Sequence, residues 1–329
     1  MRLNRRHFSQ HVLAAGAAAV GLHAAPSWAA YNKGKPVRLL VGFPPGGGTD
    51  AIARLLAEKL KDSLGTAVVV ENRPGAGGQI AAQLLKAAPA DGSTFFVTHD
   101  HTISILPQVL KSPGFDPHKD FVPVAGFASF VNALAVSTGS GVHSVDDYVQ
   151  WVQKQGGKSA VGIPAPASTP EFLVQVLNKR YQLDLVSAPY RGSAPMLADM
   201  MGNQIPAGIG SVQDFIENHR AGKLRVIAVL GGKRQAALPD VPTFSELGLK
   251  GLEDMPYYGV YAPAGTPAEP VNEVAQAIAK AVAMPDVHEQ LVAMGLTVGY
   301  MTGEQLLARE QAYTTVWKRI IESSGFKPQ

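Results

Sequence analysis

The sequence contains no cysteine, and that absence removes several kinds of chemistry at once. A chain without thiols forms no disulfide, uses no thiolate nucleophile and holds no metal ion through sulfur. Its stability must therefore come from packing and hydrogen bonds. With 329 residues, it is long enough to bury a large apolar core and to divide that core between two lobes.

Charge is also scarce, because only 17% of the residues are charged while 46% are hydrophobic. This composition excludes a disordered chain, and a mean hydropathy of +0.04 excludes a polytopic membrane protein. The formal charge of +3 comes from Arg2, Arg5 and Arg6, since the first 29 residues contain no acid. Without them basic and acidic side chains are equal in number, so no basic stripe predicts a nucleic-acid partner.

A long hydrophobic run is missing as well. The apolar run "HVLAAGAAAVGLHAA" covers roughly 15 residues, fewer than the roughly 20 that span a bilayer, which disfavours a membrane anchor. It follows a basic start and precedes small residues at Ser27 and Ala29, which predicts a signal peptide over residues 1–29 and a periplasmic mature chain. "NRRHF" resembles a twin-arginine export signal, but ordinary signals also carry paired arginines, so the export route stays open.

From residue 31 onward, short apolar runs alternate with helical patterns, which predicts an α/β fold with largely parallel sheets. One β-α-β-α-β set covers residues 36–99, a second begins at Ser144, and three helical stretches close the chain. The apolar segment "FVPVAGFASFVNALAVST" lies between the sets and suits strands that cross from one lobe to the other. We therefore expect a discontinuous first lobe (30–130 and 250–329), a second lobe (131–249) and two crossovers that form a hinge.

The segment "FPPGGGTD" at 43–50 follows a predicted strand and precedes a predicted helix. With Gly46, Gly48, Ala51 and Glu71, it fits the spacing of a dinucleotide-binding fingerprint. Two prolines at the entrance, an acid that would face the pyrophosphate and the lack of a linked catalytic group count against such a site. We expect no cofactor, and an exported nicotinamide-dependent oxidoreductase remains the enzyme alternative.

Exposed N–H groups at a helix N-terminus, backed by the helix dipole, form an anion site that needs no Lys or Arg. The glycine loop supplies one such terminus, where Thr49 or Asp50 is expected to cap the helix. "PASTPEF", with Thr169 as the expected cap, and "YRGSAPML" supply two more in the second set. Three termini divided between two lobes suit a small dicarboxylate held from both sides.

Several long blocks carry a family resemblance, among them "KPVRLLVGFPPGGGTDAIARLLAEKL", "VVVENRPGAGGQIAAQ", "YRGSAPMLADMMGNQ" and "KRQAALPDVPTFSELG". From about Lys35 to the C-terminus, the chain resembles the periplasmic receptors of tripartite tricarboxylate transporters, the Bug proteins. The resemblance implies a two-lobed type II solute-binding fold of the Venus-flytrap kind that closes on a small organic acid. It also implies a non-enzymatic role, with delivery of the acid to membrane permease subunits, and we expect the receptor to be a monomer.

Carried over by the resemblance, the candidate site comprises the glycine loop, the triplet after the third strand, two loops of the second lobe and one further turn. The candidate ligand-binding residues are Phe43, Pro44, Gly46, Gly47, Gly48, Thr49, Asp50, His99, Asp100, His101, Pro164, Ala167, Ser168, Thr169, Tyr190, Gly192, Ser193 and Ser211.

Two positions depart from the family pattern. Pro170 stands where many relatives have a histidine, which removes an imidazole and an N–H donor. The triplet "HDH" at 99–101 stands where relatives commonly have small neutral residues. It fits a solvated turn, a helix cap from Asp100 near Ile103, or a cleft wall that favours a ligand with an ammonium, hydroxyl or ring N–H. Adjacent residues seldom converge on one ion, so no metal site is expected there.

Other chemistry finds little support in the sequence. No Gly-x-Ser-x-Gly elbow is present, which disfavours a serine hydrolase. The remaining histidines of the mature chain, His118, His143, His219 and His288, are expected on solvated turns or helix faces. A periplasmic sensor that uses the same fold for signalling remains an alternative to a transport receptor.

Overall fold

The structure is a computed structural model that describes residues 35–253, 255–323 and 326–328. The predicted signal peptide over 1–29 lies outside the described residues.

The first lobe is built on a six-stranded sheet with the order β11-β4-β10-β3-β1-β2. Its strands are β1 (Val37–Val41), β2 (Val68–Asn72), β3 (Thr94–His99), β4 (Phe121–Ser129), β10 (Tyr257–Pro263) and β11 (Thr297–Thr302). Strand β1 pairs in parallel with β2 and β3, whereas β10 is antiparallel to β3 and β4, and β11 is antiparallel to β4.

The second lobe is built on a five-stranded sheet with the order β7-β6-β8-β5-β9. Its strands are β5 (Asn132–Ser137), β6 (Lys158–Ile163), β7 (Asp184–Pro189), β8 (Ala207–Ser211) and β9 (Leu224–Val229). Strand β6 is parallel to β7 and β8, while β5 is antiparallel to β8 and β9. The sheets are therefore parallel only in part, because β10 and β11 run opposite to the other strands of the first sheet and β5 runs opposite to the other strands of the second.

Helices cover both sheets and connect most of the parallel strands. They are α1 (Gly48–Leu64), α2 (Gln79–Lys86), α3 (Leu106–Val109), α4 (Pro117–Asp120), α5 (Val145–Lys154), α6 (Thr169–Tyr181), α7 (Ser193–Met201), α8 (Val212–Arg220), α9 (Ala268–Ala283), α10 (Pro285–Ala293) and α11 (Gly303–Ser323). A π-helical turn, His101–Ile105, precedes α3. No helix in the described part of the chain is long and apolar enough to cross a membrane.

The chain passes between the sheets twice, once from β4 to β5 and once from β9 to β10. The two passages touch, because the N–H of Phe130 donates to the carbonyl of Pro256 over 3.1 Å. The prediction of two α/β lobes joined by two crossovers is confirmed by this topology.

The local predictions need three corrections. Helix α1 has Gly47 as its N-cap residue, so neither Thr49 nor Asp50 caps it. Helix α6 has Ser168 as its N-cap residue rather than Thr169, one position earlier than expected. Strand β11 was not expected, because most of its side chains are exposed at the edge of the sheet and give no apolar run.

Candidate functional site

A cavity lies between the two lobes, where loops that follow strands of both sheets come together. About 60 Å³ of it is open to the centre of a water molecule. One water needs roughly 10–15 Å³ by this measure, so the cavity has room for a few waters or a small organic molecule. Its lining residues are Phe43, Pro44, Gly47, Gly48, Thr49, His99, Asp100, His101, Phe130, Asn132, Pro164, Ala165, Ser168, Thr169, Pro170, Ser193, Ser211 and Asp214.

The glycine loop is braced from within the first lobe by Asp50. The Asp50 carboxylate accepts hydrogen bonds from the N–H of Gly46 at 3.0 Å, from Arg54 at 3.0 Å and from Asn72 at 2.9 Å. Burial raises the pKa of Asp50, but these hydrogen bonds outweigh it and hold the pKa below its usual value. Asp50 therefore fixes the shape of the loop.

The start of α1 meets the second lobe through Asp214 on α8. The N–H of Gly48 donates to Asp214 Oδ1 over 3.0 Å, and the Ser193 hydroxyl donates to the same oxygen over 2.7 Å. The Ser211 hydroxyl donates to Asp214 Oδ2. Gly48 has no room for a side chain here, because a Cβ would lie 2.6 Å from Cγ of Gln213. One of the amides expected to hold a ligand thus holds a carboxylate of the protein.

Two helices of the second lobe, α6 and α7, begin at the cavity. The Ser168 hydroxyl donates to the carbonyl of Ala165 over 2.6 Å and makes no capping bond, so it leaves the first amides of α6 uncapped. The hydroxyl of Thr169 is buried without a hydrogen-bond partner among the described residues. Helix α7 likewise has no side-chain cap at Gly192. Both termini offer hydrogen-bond donors to an anion.

The triplet at 99–101 forms part of the first-lobe wall and is not a solvated turn. Asp100 is buried and makes no capping bond; its Oδ2 accepts from the hydroxyl of Tyr313 over 2.9 Å, and its Oδ1 lies 3.3 Å from Nδ1 of His99. Burial, reinforced by the neighbouring His99, lowers the pKa of His101 to about 4, so its ring is neutral at neutral pH.

Comparison with known proteins identifies the family. The profile of the tripartite tricarboxylate transporter family receptor matches residues 52–326. This chain belongs to that receptor family. It is 31% identical over 326 residues to a UPF0065 protein from the gbd 5' region of Cupriavidus necator, covering 98% of each chain. It is 30% identical over 305 residues to BugT of Bordetella pertussis, covering 92% of this chain and 94% of BugT.

Solved structures of similar proteins agree with this receptor fold. The periplasmic binding protein BugD is 28% identical with a TM-score of 0.85, and the match covers 90% of this chain and 99% of BugD. A protein of R. palustris solved with adipate is 30% identical with a TM-score of 0.85, at the same coverage. MatC of Rhodopseudomonas palustris, solved with bound malate, is 26% identical with a TM-score of 0.80, covering 87% of this chain and 99% of MatC.

Most of the predicted site residues of this receptor line the cavity, and five stand away from it. The Gly46 amide is taken up by Asp50, and Asp50 by its three partners within the first lobe. Ala167 packs in the apolar core of the first lobe. Tyr190 and Gly192 line a neighbouring groove, where the Tyr190 hydroxyl donates to Asp199 over 2.7 Å.

Five cavity residues of the receptor were not predicted: Phe130, Asn132, Ala165, Pro170 and Asp214. Phe130 lies in the first passage between the lobes and Asn132 begins β5, where a polar residue within an apolar run was the available signal. Asp214 comes three residues after the strand end at Ser211, so its position at a strand-to-helix turn was also visible in the sequence. Within the described residues no three His, Asp or Glu side chains are grouped to hold a metal ion.

Proposed function

We propose that this protein is a periplasmic receptor that captures a small organic acid between its lobes and delivers it to a transporter permease. The observation that carries this proposal is the cavity itself. It receives the uncapped N-termini of α6 and α7 from one lobe and the glycine loop from the other. None of the described residues that line it is Lys or Arg.

Peptide N–H groups at helix N-termini bind anions through hydrogen bonds and the helix dipole. In a closed cavity these bonds are stronger than in water, because the surroundings have a lower dielectric constant. The similar R. palustris proteins solved with adipate and with malate support a carboxylate as the ligand class. Such a site needs no catalytic group, so the protein acts as a receptor and not as an enzyme.

Lobe closure supplies the signal that a permease can recognise, since the closed and open shapes differ. The lobes already meet at several points, among them Gly48 against Asp214 and Pro44 against Gly192. In this proposal residues 30–130 and 250–329 move against residues 131–249 about the two crossovers. The receptor is a monomer exported by the signal peptide at 1–29.

The proposal is tested by measuring the melting temperature of the purified mature protein with mono-, di- and tricarboxylates, amino acids and aromatic acids. A ligand of the native state raises the melting temperature according to its concentration and affinity. At least one acid should raise it in a concentration-dependent way and show 1:1 stoichiometry by calorimetry. The proposal fails if no acid binds, or if the protein purifies with a nucleotide cofactor.

A further inference from the structure

The charge on the cavity wall limits which acids fit it. Two carboxylates, Asp100 and Asp214, line the cavity, and none of the described lining residues is Lys or Arg. Asp214 is well supplied with donors, since Gly48, Ser193 and Ser211 all bond to it. Asp100 has the hydroxyl of Tyr313 at 2.9 Å and a more distant His99 nitrogen at 3.3 Å.

Of the two histidines next to Asp100, His99 lies 3.3 Å from its carboxylate, whereas His101 makes no hydrogen bond to it. His101 is fully buried with its pKa lowered to about 4, and neither of its ring nitrogens has a hydrogen-bond partner among the described residues. A second carboxylate on a ligand would therefore face the carboxylates of Asp100 and Asp214 in a partly enclosed space. Like charges repel strongly under those conditions.

Aromatic rings surround the same wall. The ring of His99 stacks on Phe43 with 4.8 Å between centroids, and its edge meets Phe130 at 5.8 Å. Phe43 and Phe130 both line the cavity. Aromatic faces attract cations, and a carboxylate next to them adds an ionic partner. Together they suit a protonated amine.

We propose that the ligand is an amino carboxylate, with its carboxylate at the N-termini of α6 and α7 and its protonated amine beside Asp100. This inference rests on the proposed function and narrows it from organic acids to one class of them. The unpartnered hydroxyl of Thr169 offers a further donor to the carboxylate end. A ligand of this class brings a positive charge to a wall that has two carboxylates and no Lys or Arg among its described residues, so it gains an ion pair where a diacid meets repulsion.

Calorimetry with matched probes tests the inference. Each set has one carbon spacing: glutarate, 4-aminobutanoate and butanoate, then adipate, 5-aminopentanoate and pentanoate, together with L-amino acids of four to six carbons. The wild-type protein should bind at least one amino carboxylate about tenfold or more tightly than the diacid and the plain monoacid of similar length. Asp100→Asn should remove most of that preference.

Two variants separate charge from structure. Asp100→Asn keeps an acceptor for Tyr313, whereas Tyr313→Phe removes the donor and leaves the carboxylate in place. The preference for the amine should be lost in the first variant and kept in the second. If Asp100→Asn does not fold, the relative affinities of the wild-type protein for amino carboxylates, diacids and monoacids test the inference alone.

The outcomes distinguish the two proposals. If diacids bind the wild type more tightly than amino carboxylates, or if Asp100→Asn leaves the ranking unchanged, the amine subsite is wrong and the receptor function stands. If none of the acids in the broader screen binds, both proposals fail.

Discussion

The carboxylate of Asp214 in the second lobe accepts a hydrogen bond from the backbone N–H of Gly48 in the first lobe over 3.0 Å. The Gln213 side chain makes a parallel connection, donating to the hydroxyl of Tyr258 over 2.8 Å. Since each pair joins different lobes, these bonds form only while the lobes are together. The start of α8 is therefore part of the closing surface of the receptor.

We expect Asp214→Ala to weaken binding of the cognate acid about 10- to 100-fold, the range for one hydrogen bond to a charged group. The contact exists only in the closed state, so removing the carboxylate destabilises the closed state relative to the open state. Calorimetry measures the affinity. Small-angle scattering without ligand should show a larger radius of gyration for the variant than for the wild-type protein. Glu217→Ala, on the same helix in an exposed ion pair with Arg220, is the control and should change little. Equal effects from both variants would contradict a closing role for Asp214.

A second closing contact lies at Gly192, whose φ is +103°. A Cβ there would lie 2.6 Å from Cδ of Pro44 in the other lobe. Gly192→Ala should therefore hold the lobes apart and weaken binding by about tenfold or more, beyond the backbone cost of roughly 1 kcal/mol for a side chain at positive φ. Gly156→Ala is the matched control, since Gly156 has φ +78° with nothing within 4 Å of its Cβ. If both variants keep wild-type affinity, the lobes do not close through this contact.

Glu310 gives the stability a dependence on pH that does not involve the site. Burial raises the pKa of Glu310 to about 7, against the opposing hydrogen bond from Tyr261, and His118 lies 3.6 Å away. The folded state binds more protons than the unfolded state between about pH 4.5 and 7. The contribution of protonated Glu310 to the free energy of unfolding is therefore full below pH 4.5 and is lost as pH rises towards 7. Over this pH range the free energy of unfolding should fall by about 3 kcal/mol because of Glu310 in the wild-type protein, and Glu310→Gln should lack that fall. Denaturant titrations at pH 4.5 and 7.5 measure it, and identical pH slopes for the two proteins would contradict it.

His101 acts in the opposite direction. Its pKa of about 4 lies below the ordinary 6.5, so the unfolded state binds more protons between these values. Stability from the neutral ring is present above pH 6.5 and is lost as pH falls towards 4. As pH falls from 6.5 to 4, His101 should cost the wild-type protein about 3 kcal/mol in the free energy of unfolding, and His101→Phe should not show this cost. The two contributions nearly cancel in the wild-type protein, so its unfolding free energy should vary less between pH 4.5 and 6.5 than that of either variant.

Periodicity and glycine placement predicted most of the fold. The apolar spacing along α1 and the run before "FPPGGGTD" located the first strand, the loop and the helix, because these patterns are local. The edge strand β11 was missed since its side chains are mostly exposed. The cap of α6 was misplaced by one residue because Ser168 and Thr169 are equally suited to the position.

The candidate site was harder to predict in its contacts than in its location. The glycine loop and the starts of α6 and α7 were placed in the site from the sequence, whereas the triplet at 99–101 was a candidate that also fitted a solvated turn or a helix cap. The structure brings all of them together around one cavity. The bond from Gly48 to Asp214 joins residues 166 positions apart, and no local pattern shows which partner a free amide will find. For the same reason the sequence did not show that Tyr190 points to Asp199 instead of the cavity.

The central claim is that uncapped helix N-termini at the cavity between the two lobes bind a carboxylate without a cationic side chain. A crystal structure of the protein with the acid that raises its melting temperature most tests this directly. The account predicts a carboxylate in the cavity within hydrogen-bond distance of backbone N–H groups at the start of α6 or α7, with no Lys or Arg in contact. A ligand carboxylate paired with a Lys or Arg, or bound outside the cavity, would contradict it.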